Sequence, residues 1–371
     1  MILTPGHADR IRALAVELGF DACGLVPVPE LTDYQEETAA ARFAAWVAAG
    51  RAGEMNYLKR EDESGAHLRG SLRRALPWAR SVLVCAVNYN TAAPRSIDQA
   101  PNSEGWIARY AVSGDADGKA TDYHEVILAR LRRLEQQLHE ELGDFQSRCY
   151  VDTGPIVERE YAWRAGVGWV GKNTCLLNQQ LGSWLYLGVI VLGVDLTPGM
   201  LAVHAVDRCG SCVRCIEACP TGALDTPYQM DASRCISYLT IEKRGEIPEE
   251  FREGIGRNVF GCDICQDVCP WNRKAPIGMW PELQSRAELV NPALDWLASL
   301  DAAGFKEVFR RSPVERTKLR GLRRNVAIAM GNSGEASHTD TLEGWLNDED
   351  AAVRDSAEWA LSRIRNSDGG N

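Results

Sequence analysis

The chain has 371 residues, 45% of them hydrophobic and 25% charged, which is enough apolar material for a full core in two or three domains and excludes global disorder or a fibrous repeat. Its 41 Lys and Arg against 51 Asp and Glu leave a formal charge of −10, so nonspecific nucleic-acid binding by the whole surface is excluded, though a local basic patch is not. No stretch approaches the ~20 uninterrupted apolar residues of a membrane span, because the longest run, 184–194, breaks at Gly188 and Gly193. The N-terminus has no basic n-region, apolar h-region or twin arginine, and a cytoplasmic location is the expectation.

Residues 7–19 place Ile11, Leu14, Ala15 and Leu18 at helical spacing and end on a glycine. A strand is predicted over 20–26, a helix over 38–49 and a buried strand over 81–87. Residues 122–142 carry Val126, Ile127, Leu131, Leu134 and Leu138 on one face and form the clearest amphipathic helix. Strands follow at 150–151 and 185–194. The class is α+β, with an N-terminal α/β unit over 1–205 and a cysteine-dense unit over 206–285. A helical unit covers 286–365, with helices at 319–330, 339–346 and 351–364 in a HEAT-like arrangement, and 366–371 reads as a disordered tail.

Twelve cysteines in a reducing compartment point to metal or redox chemistry rather than disulfides. Cys209, Cys212, Cys215 and Cys219-Pro220 have the C-x2-C-x2-C-x3-C-P spacing in which three thiolates wrap one cubane cluster and the fourth reaches a second. Cys262, Cys265 and Cys269-Pro270 lack a first cysteine, which Cys235 can supply. Crossing over the fourth ligands gives Cys209, Cys212, Cys215 and Cys269 to one [4Fe–4S] cluster and Cys219, Cys235, Cys262 and Cys265 to the other. A pair of zinc sites is the alternative, although zinc ribbons require neither the third close cysteine nor the Cys-Pro endings. Cys23, Cys85, Cys149 and Cys175 lie in apolar, strand-like segments and read as small buried hydrophobes.

Two clusters move single electrons, and a chain this long should also hold a reaction site. Asp152 leaves an apolar run and enters a Gly-Pro turn, where a carboxylate at the edge of an apolar wall is expected to have a raised pKa and to donate a proton; an Asx turn or helix cap is the alternative. Gly166, Gly168 and Gly171 match a dinucleotide fingerprint in spacing alone. Between 306 and 324, eight basic residues stand against two acidic ones, a patch able to hold phosphates.

Asp-Thr-Gly-Pro at 152–155, Gly-Trp-Val-Gly-Lys-Asn-Thr at 168–174, Gly-Ser-Trp-Leu-Tyr-Leu-Gly at 182–188 and Gly-Cys-Asp-Ile-Cys-Gln-Asp-Val-Cys-Pro-Trp-Asn at 261–272 resemble the epoxyqueuosine reductases. So do Ile-Ala-Arg-Tyr-Ala at 107–111, Asp-Tyr-His at 122–124, Cys-Ile-Ser-Tyr-Leu-Thr-Ile-Glu at 235–242 and the stretch 321–332. The resemblance implies removal of the epoxide oxygen of epoxyqueuosine at the tRNA wobble position, using base-off cobalamin and two [4Fe–4S] clusters. No Asp-x-His-x-x-Gly motif is present, which fits a corrinoid without a histidine ligand. The resemblance makes Asp152 the general acid. It places Arg69, Ala108, Arg109, Asp152, Lys172, Asn173, Ser237, Tyr238, Cys262 and Asp263 at the corrinoid, and the basic patch offers Arg320, Arg323 and Arg324 to tRNA. A low-potential donor of flavodoxin or ferredoxin type and a monomer complete the expectation. The rival readings are a cobalamin-dependent reductive dehalogenase and a non-catalytic iron–sulfur protein that binds RNA or transfers electrons.

Overall fold

The computed structural model describes residues 1–200 and 204–368. Helix α1 (Pro5–Glu17) starts at Thr4, whose hydroxyl accepts the His7 amide while the His7 ring accepts that of Thr4. Strand β1 (Ala22–Pro27), helix α2 (Tyr34–Ala48), strand β2 (Ser81–Asn88), helix α3 (Tyr123–Leu142) and strand β3 (Ser147–Tyr150) follow. Helix α4 (Glu158–Arg164) and strand β4 (Leu185–Leu192) complete the first unit.

The sheet runs β1–β2–β4–β3, and all three pairings are antiparallel. The N-terminal unit is therefore α+β rather than the α/β expected, because alternation of helices and strands along a chain does not fix strand direction. Along β2, Leu83, Cys85 and Val87 face α1 and α3, while Val82, Val84 and Ala86 face the α4 side. Burial on both faces explains the uninterrupted apolar run. Ile127, Leu131, Leu134 and Leu138 of α3 are fully buried against β4, each contributing about 2 kcal/mol. Gly188 permits that approach, since a Cβ there would lie 2.8 Å from Leu131 Cδ1. Cys23, Cys85 and Cys149 pack into this core, and burial pushes all three thiols up, away from reactivity.

The cysteine-dense segment contains helix α5 (Ile236–Ile241). The helical end consists mainly of α6 (Lys318–Ser333), α7 (Thr339–Trp345) and α8 (Ala351–Asp368). α6 stops at Gly334 in the left-handed region, φ 69°. One core spans the expected boundaries, joining Ile107 and Val112 to Val259 and Phe260 and to Leu297, Leu322, Val326 and Leu361. Residues 106–107 also pair with Asn258–Phe260, and the buried Asn325 amide donates to the carbonyls of Thr240 and Val259. Helix α8 continues through 366–368 of the expected tail; 369–371 lie outside the described residues. Among the described residues no helix is long and apolar enough to cross a membrane.

Candidate active site

A cleft of about 880 Å³ opens where the three segments meet. Its walls carry Tyr57, Arg69, Tyr110, Tyr123, His124 and Asp152 from the first segment, Cys235, Ser237 and Tyr238 from the second, and Ser312, Arg316 and Lys318 from the third. β3 delivers Asp152, two residues past its end, in the left-handed region at φ 56°. That conformation costs a non-glycine residue on the order of 1 kcal/mol and swings the carboxylate into the cleft.

The Tyr123 hydroxyl donates to Asp152 Oδ2 at 3.1 Å, and His124 Nε2 lies 3.8 Å from the same oxygen. On its other side, His124 Nδ1 is 2.6 Å from Asp122 Oδ1. Asp122 caps α3 through the His124 amide, so the start of one helix supplies Asp122, Tyr123 and His124 to the Asp152 carboxylate. The Tyr123 ring stacks on His124 at 3.9 Å and on Tyr186 at 4.3 Å, which fixes the imidazole plane.

Asp152 does not have the raised pKa expected from its position. Burial raises it, but the facing His124 imidazole with its charge and the Tyr123 hydroxyl together outweigh burial and bring it below the usual carboxylate range. The proton lies on the neighbour: burial lowers His124, yet its bond to Asp122 and the nearby Asp152 carboxylate carry it up to about 9. Glu158 moves in the opposite direction from Asp152, pushed up to about 8 by burial and then by the Asp152 charge. The placement of Tyr123, His124 and Glu158 around Asp152 was missed by sequence reasoning, although the Asp-Tyr-His motif was in view.

Cys209, Cys212, Cys215 and Cys269 line one cavity of about 270 Å³, beside Lys172 and Asn173. Cys262 faces Cys235 and Cys219, and Cys265 faces Cys262 and Cys235. The fold thus brings cysteines of each expected group near one another. Burial pushes the thiols of Cys235, Cys262 and Cys269 up, a cost that thiolate–iron bonds would offset, so the donor set fits two iron–sulfur clusters. Cys235 also lines the cleft, so the second group is the one that borders it. Cys175, expected to be a passive core residue, has its thiol against that of Cys265.

Of the expected corrinoid contacts, Arg69, Asp152, Ser237 and Tyr238 line the cleft. Ala108, Arg109, Lys172, Asn173, Cys262 and Asp263 do not line it. The Arg109 guanidinium is spent on the carbonyls of Thr91, Ala93 and Pro94, and Ala108 is fully buried beside Gly261. Asp263 accepts the Arg109 amide at 2.7 Å and the Trp106 indole at 3.1 Å. Lys172 donates to the Gly210 carbonyl and Asn173 to that of Cys265, at the cysteine groups. The cleft itself suits a large polar-edged cofactor: it is roomy, and Ser312 Oγ on its wall is buried without a partner.

Among the expected tRNA contacts, Arg324 is corrected. It is 3% exposed, and its guanidinium donates to the carbonyls of Leu239, Lys243 and Gly245, which makes it a joint between segments. Arg323 is held by Asp348 at 3.1 Å, while Arg320 is largely exposed and loosely paired to Asp350 at 3.9 Å.

A family model described as epoxyqueuosine reductase QueG, DUF1730, matches residues 69–153, and one described as a 4Fe-4S double cluster binding domain matches 208–272. The curated epoxyqueuosine reductase of Xanthomonas campestris pv. campestris is 36% identical over 361 residues, 96% of each chain. The crystal structure of an epoxyqueuosine reductase with a tRNA-Tyr epoxyqueuosine-modified stem loop matches with TM-score 0.82 at 29% identity, over 96% of this chain and 89% of that one. The Bacillus subtilis epoxyqueuosine reductase, solved with its catalytic loop swung out of the active site, matches with TM-score 0.80 at 30% identity, over 96% and 90%. Similarity of that extent, over a fold that gathers both cysteine groups beside an aspartate cleft, places the chain in the epoxyqueuosine reductase family.

Proposed function

We propose that the chain reduces epoxyqueuosine to queuosine inside the Asp152 cleft, with Asp152 delivering the proton that the departing epoxide oxygen requires. The carrying observation is the array Asp122, His124, Asp152, which ends in an open carboxylate and holds a proton beside it at neutral pH. Cobalamin, when bound, supplies the reducing cobalt centre for epoxide opening, with the clusters as the source of electrons. Arg69, Ser237 and Tyr238 would hold the corrinoid from two sides of the cleft. Cys209, Cys212, Cys215 and Cys269 would hold one cluster, and Cys219, Cys235, Cys262 and Cys265 the one nearer the cleft.

Asp152 is ionised at rest, and His124 is its proton source. The proton moves from His124 Nε2 to Asp152 Oδ2 and on to the substrate oxygen, while the Tyr123 hydroxyl keeps Oδ2 in place. The neutral imidazole is recharged from solvent at the cleft mouth. The substrate base belongs to a tRNA, as in the stem-loop complex of the relative, and must leave its stack to reach Asp152. Lys318 on the cleft wall, with Arg320 on the first turn of α6, would meet the flanking phosphates; Arg316, held by Glu242, and Arg323, held by Asp348, take a lesser part. α6, α7 and α8 form the HEAT-like support for that surface. A low-potential flavodoxin- or ferredoxin-type protein in a reducing cytoplasm would feed the clusters, and a cleft built from one chain suits a monomer.

The test is the anaerobically reconstituted protein with cobalamin, a low-potential reductant and tRNA bearing epoxyqueuosine, read by nucleoside mass spectrometry. Corrinoid-dependent loss of one oxygen is expected. No loss, with clusters and corrinoid shown to be bound, overturns the assignment.

A further inference from the structure

The backbone of the Asp152 turn is held by groups that the proton path does not use. Asp152 is left-handed at φ 56°, and two residues on Gly154 lies so close to Tyr150 that a Cβ would sit 2.7 Å from its ring. The turn is thus folded tightly back on the end of β3, and Thr153 is exposed, contributing no packing of its own. Two contacts from outside fix it. Glu158 Oε1, from the first turn of α4, accepts the Asp152 backbone N–H at 2.8 Å. Arg69 Nη2, far away in sequence, donates to the Gly154 carbonyl at 2.7 Å. One contact takes the donor at the start of the turn and the other the acceptor two residues later, so together they set its position and its tilt.

We propose that Glu158 and Arg69 form a two-point clamp that holds the Asp152 turn in its cleft-facing conformation, making both positioning residues for the proton donor. The proposal rests on the reading of Asp152 as that donor. It explains why a half-buried carboxyl stands next to a second carboxylate: with its proton retained at neutral pH, Glu158 accepts the amide through one oxygen without adding a like charge beside Asp152. The charged groups that act on Glu158 are Asp152, Arg69 and Arg159, so both arginines temper the repulsion that remains. Releasing either contact lets the left-handed residue relax, which withdraws the carboxylate from the cleft.

The experiment compares Glu158→Ala, Glu158→Gln and Arg69→Ala in the reconstituted holoenzyme, by amide hydrogen exchange over residues 150–156 and by steady-state kinetics. Glu158→Ala should speed exchange in that segment by about tenfold or more, and lower kcat by about tenfold with the KM for tRNA changed by less than about twofold. Glu158→Gln, whose amide oxygen can accept the same bond, should restore both to within about threefold. Arg69→Ala should loosen the same segment, and it keeps the proposal testable if Glu158→Ala fails to fold. Wild-type exchange over 150–156 in Glu158→Ala or Arg69→Ala overturns the clamp, as does acceleration spread evenly through α4 and the sheet. Asp152→Asn separates this from the underlying reading: it should keep the segment protected while losing turnover, and persistent turnover would remove the acid and leave the exchange result to stand alone.

Discussion

Asp152 and Asp263 are two carboxylates of one molecule treated in opposite ways. Asp152 has 67% of its side-chain surface open, sits on a left-handed backbone and faces an imidazole 3.8 Å away. Asp263 is 1% exposed and is filled by two N–H groups, the Arg109 amide and the Trp106 indole. Burial, and then Asp267, push Asp263 up to about 7, while at Asp152 the imidazole and phenol win against burial. Short, saturated bonds make a joint, and Asp263 ties residues 106–109 to the second cysteine group. Longer, adjustable contacts leave a proton free to move, and these surround Asp152 alone of the pair.

The largest expected effect follows from that division. Asp152→Asn keeps the shape and removes the transferable proton, so turnover should fall by about 10²–10⁴-fold, the usual contribution of a general acid, with cluster spectra unchanged. Undiminished turnover would abolish the distinction between the two regions. At the joint the loss appears in stability instead. Asp263→Ala leaves two buried N–H groups without an acceptor and should cost about 2–4 kcal/mol in denaturant unfolding of the cluster-loaded protein, with Asn recovering much of it. Arg324→Ala belongs to the same class, because it strips the buried Leu239 carbonyl and the part-buried carbonyls of Lys243 and Gly245 of a donor.

A smaller effect sharpens the Asp152 side. His124 is raised from its ordinary value to about 9, so its charged form is favoured by the fold. The stability this contributes is full below about pH 6.5 and is lost as pH climbs through about 9. Asp152, lowered, contributes in the opposite sense, losing its share as pH falls into the acid range. The proton supply should fail on the same alkaline limb, so kcat should decline toward pH 9. His124→Gln should remove that limb and lower kcat at neutral pH by about tenfold. A limb that survives the substitution would assign it to another group.

The double-cluster segment was legible because cluster ligation is written in short spacings: three of the four ligands expected for one cluster fall within seven residues, and counting offered Cys235 to the other. β2 and α3 were legible for a similar reason, one apolar throughout and the other striped at helical period. The cleft was not legible. Its proton array joins 122–124 to 152, and its walls join 69 to 238 and 316, contacts that no local period encodes. Composition also misled at Arg324, where a run of basic residues conceals one whose charge faces inward against carbonyls. Strand direction failed likewise, since alternation of helix and strand suits antiparallel order as well as parallel.

The smallest expected effect concerns Arg320, the exposed member of that run. Its side chain is 64% exposed, and its one ion pair among the described residues, with Asp350 at 3.9 Å, is too long to hold it. If it meets a phosphate, Arg320→Ala removes one released counterion, so the slope of log affinity for the tRNA stem loop against log salt should shrink by about 1, with affinity falling less than about tenfold. Arg324→Ala should leave that slope untouched in whatever fraction stays folded, because its guanidinium is turned inward onto carbonyls of the fold. The pair therefore separates a charge that serves the substrate from one that serves the fold. An equal slope in Arg320→Ala and the unaltered chain would return Arg320 to an ordinary solvated helix face and leave Lys318, on the cleft wall itself, to carry the phosphate contact.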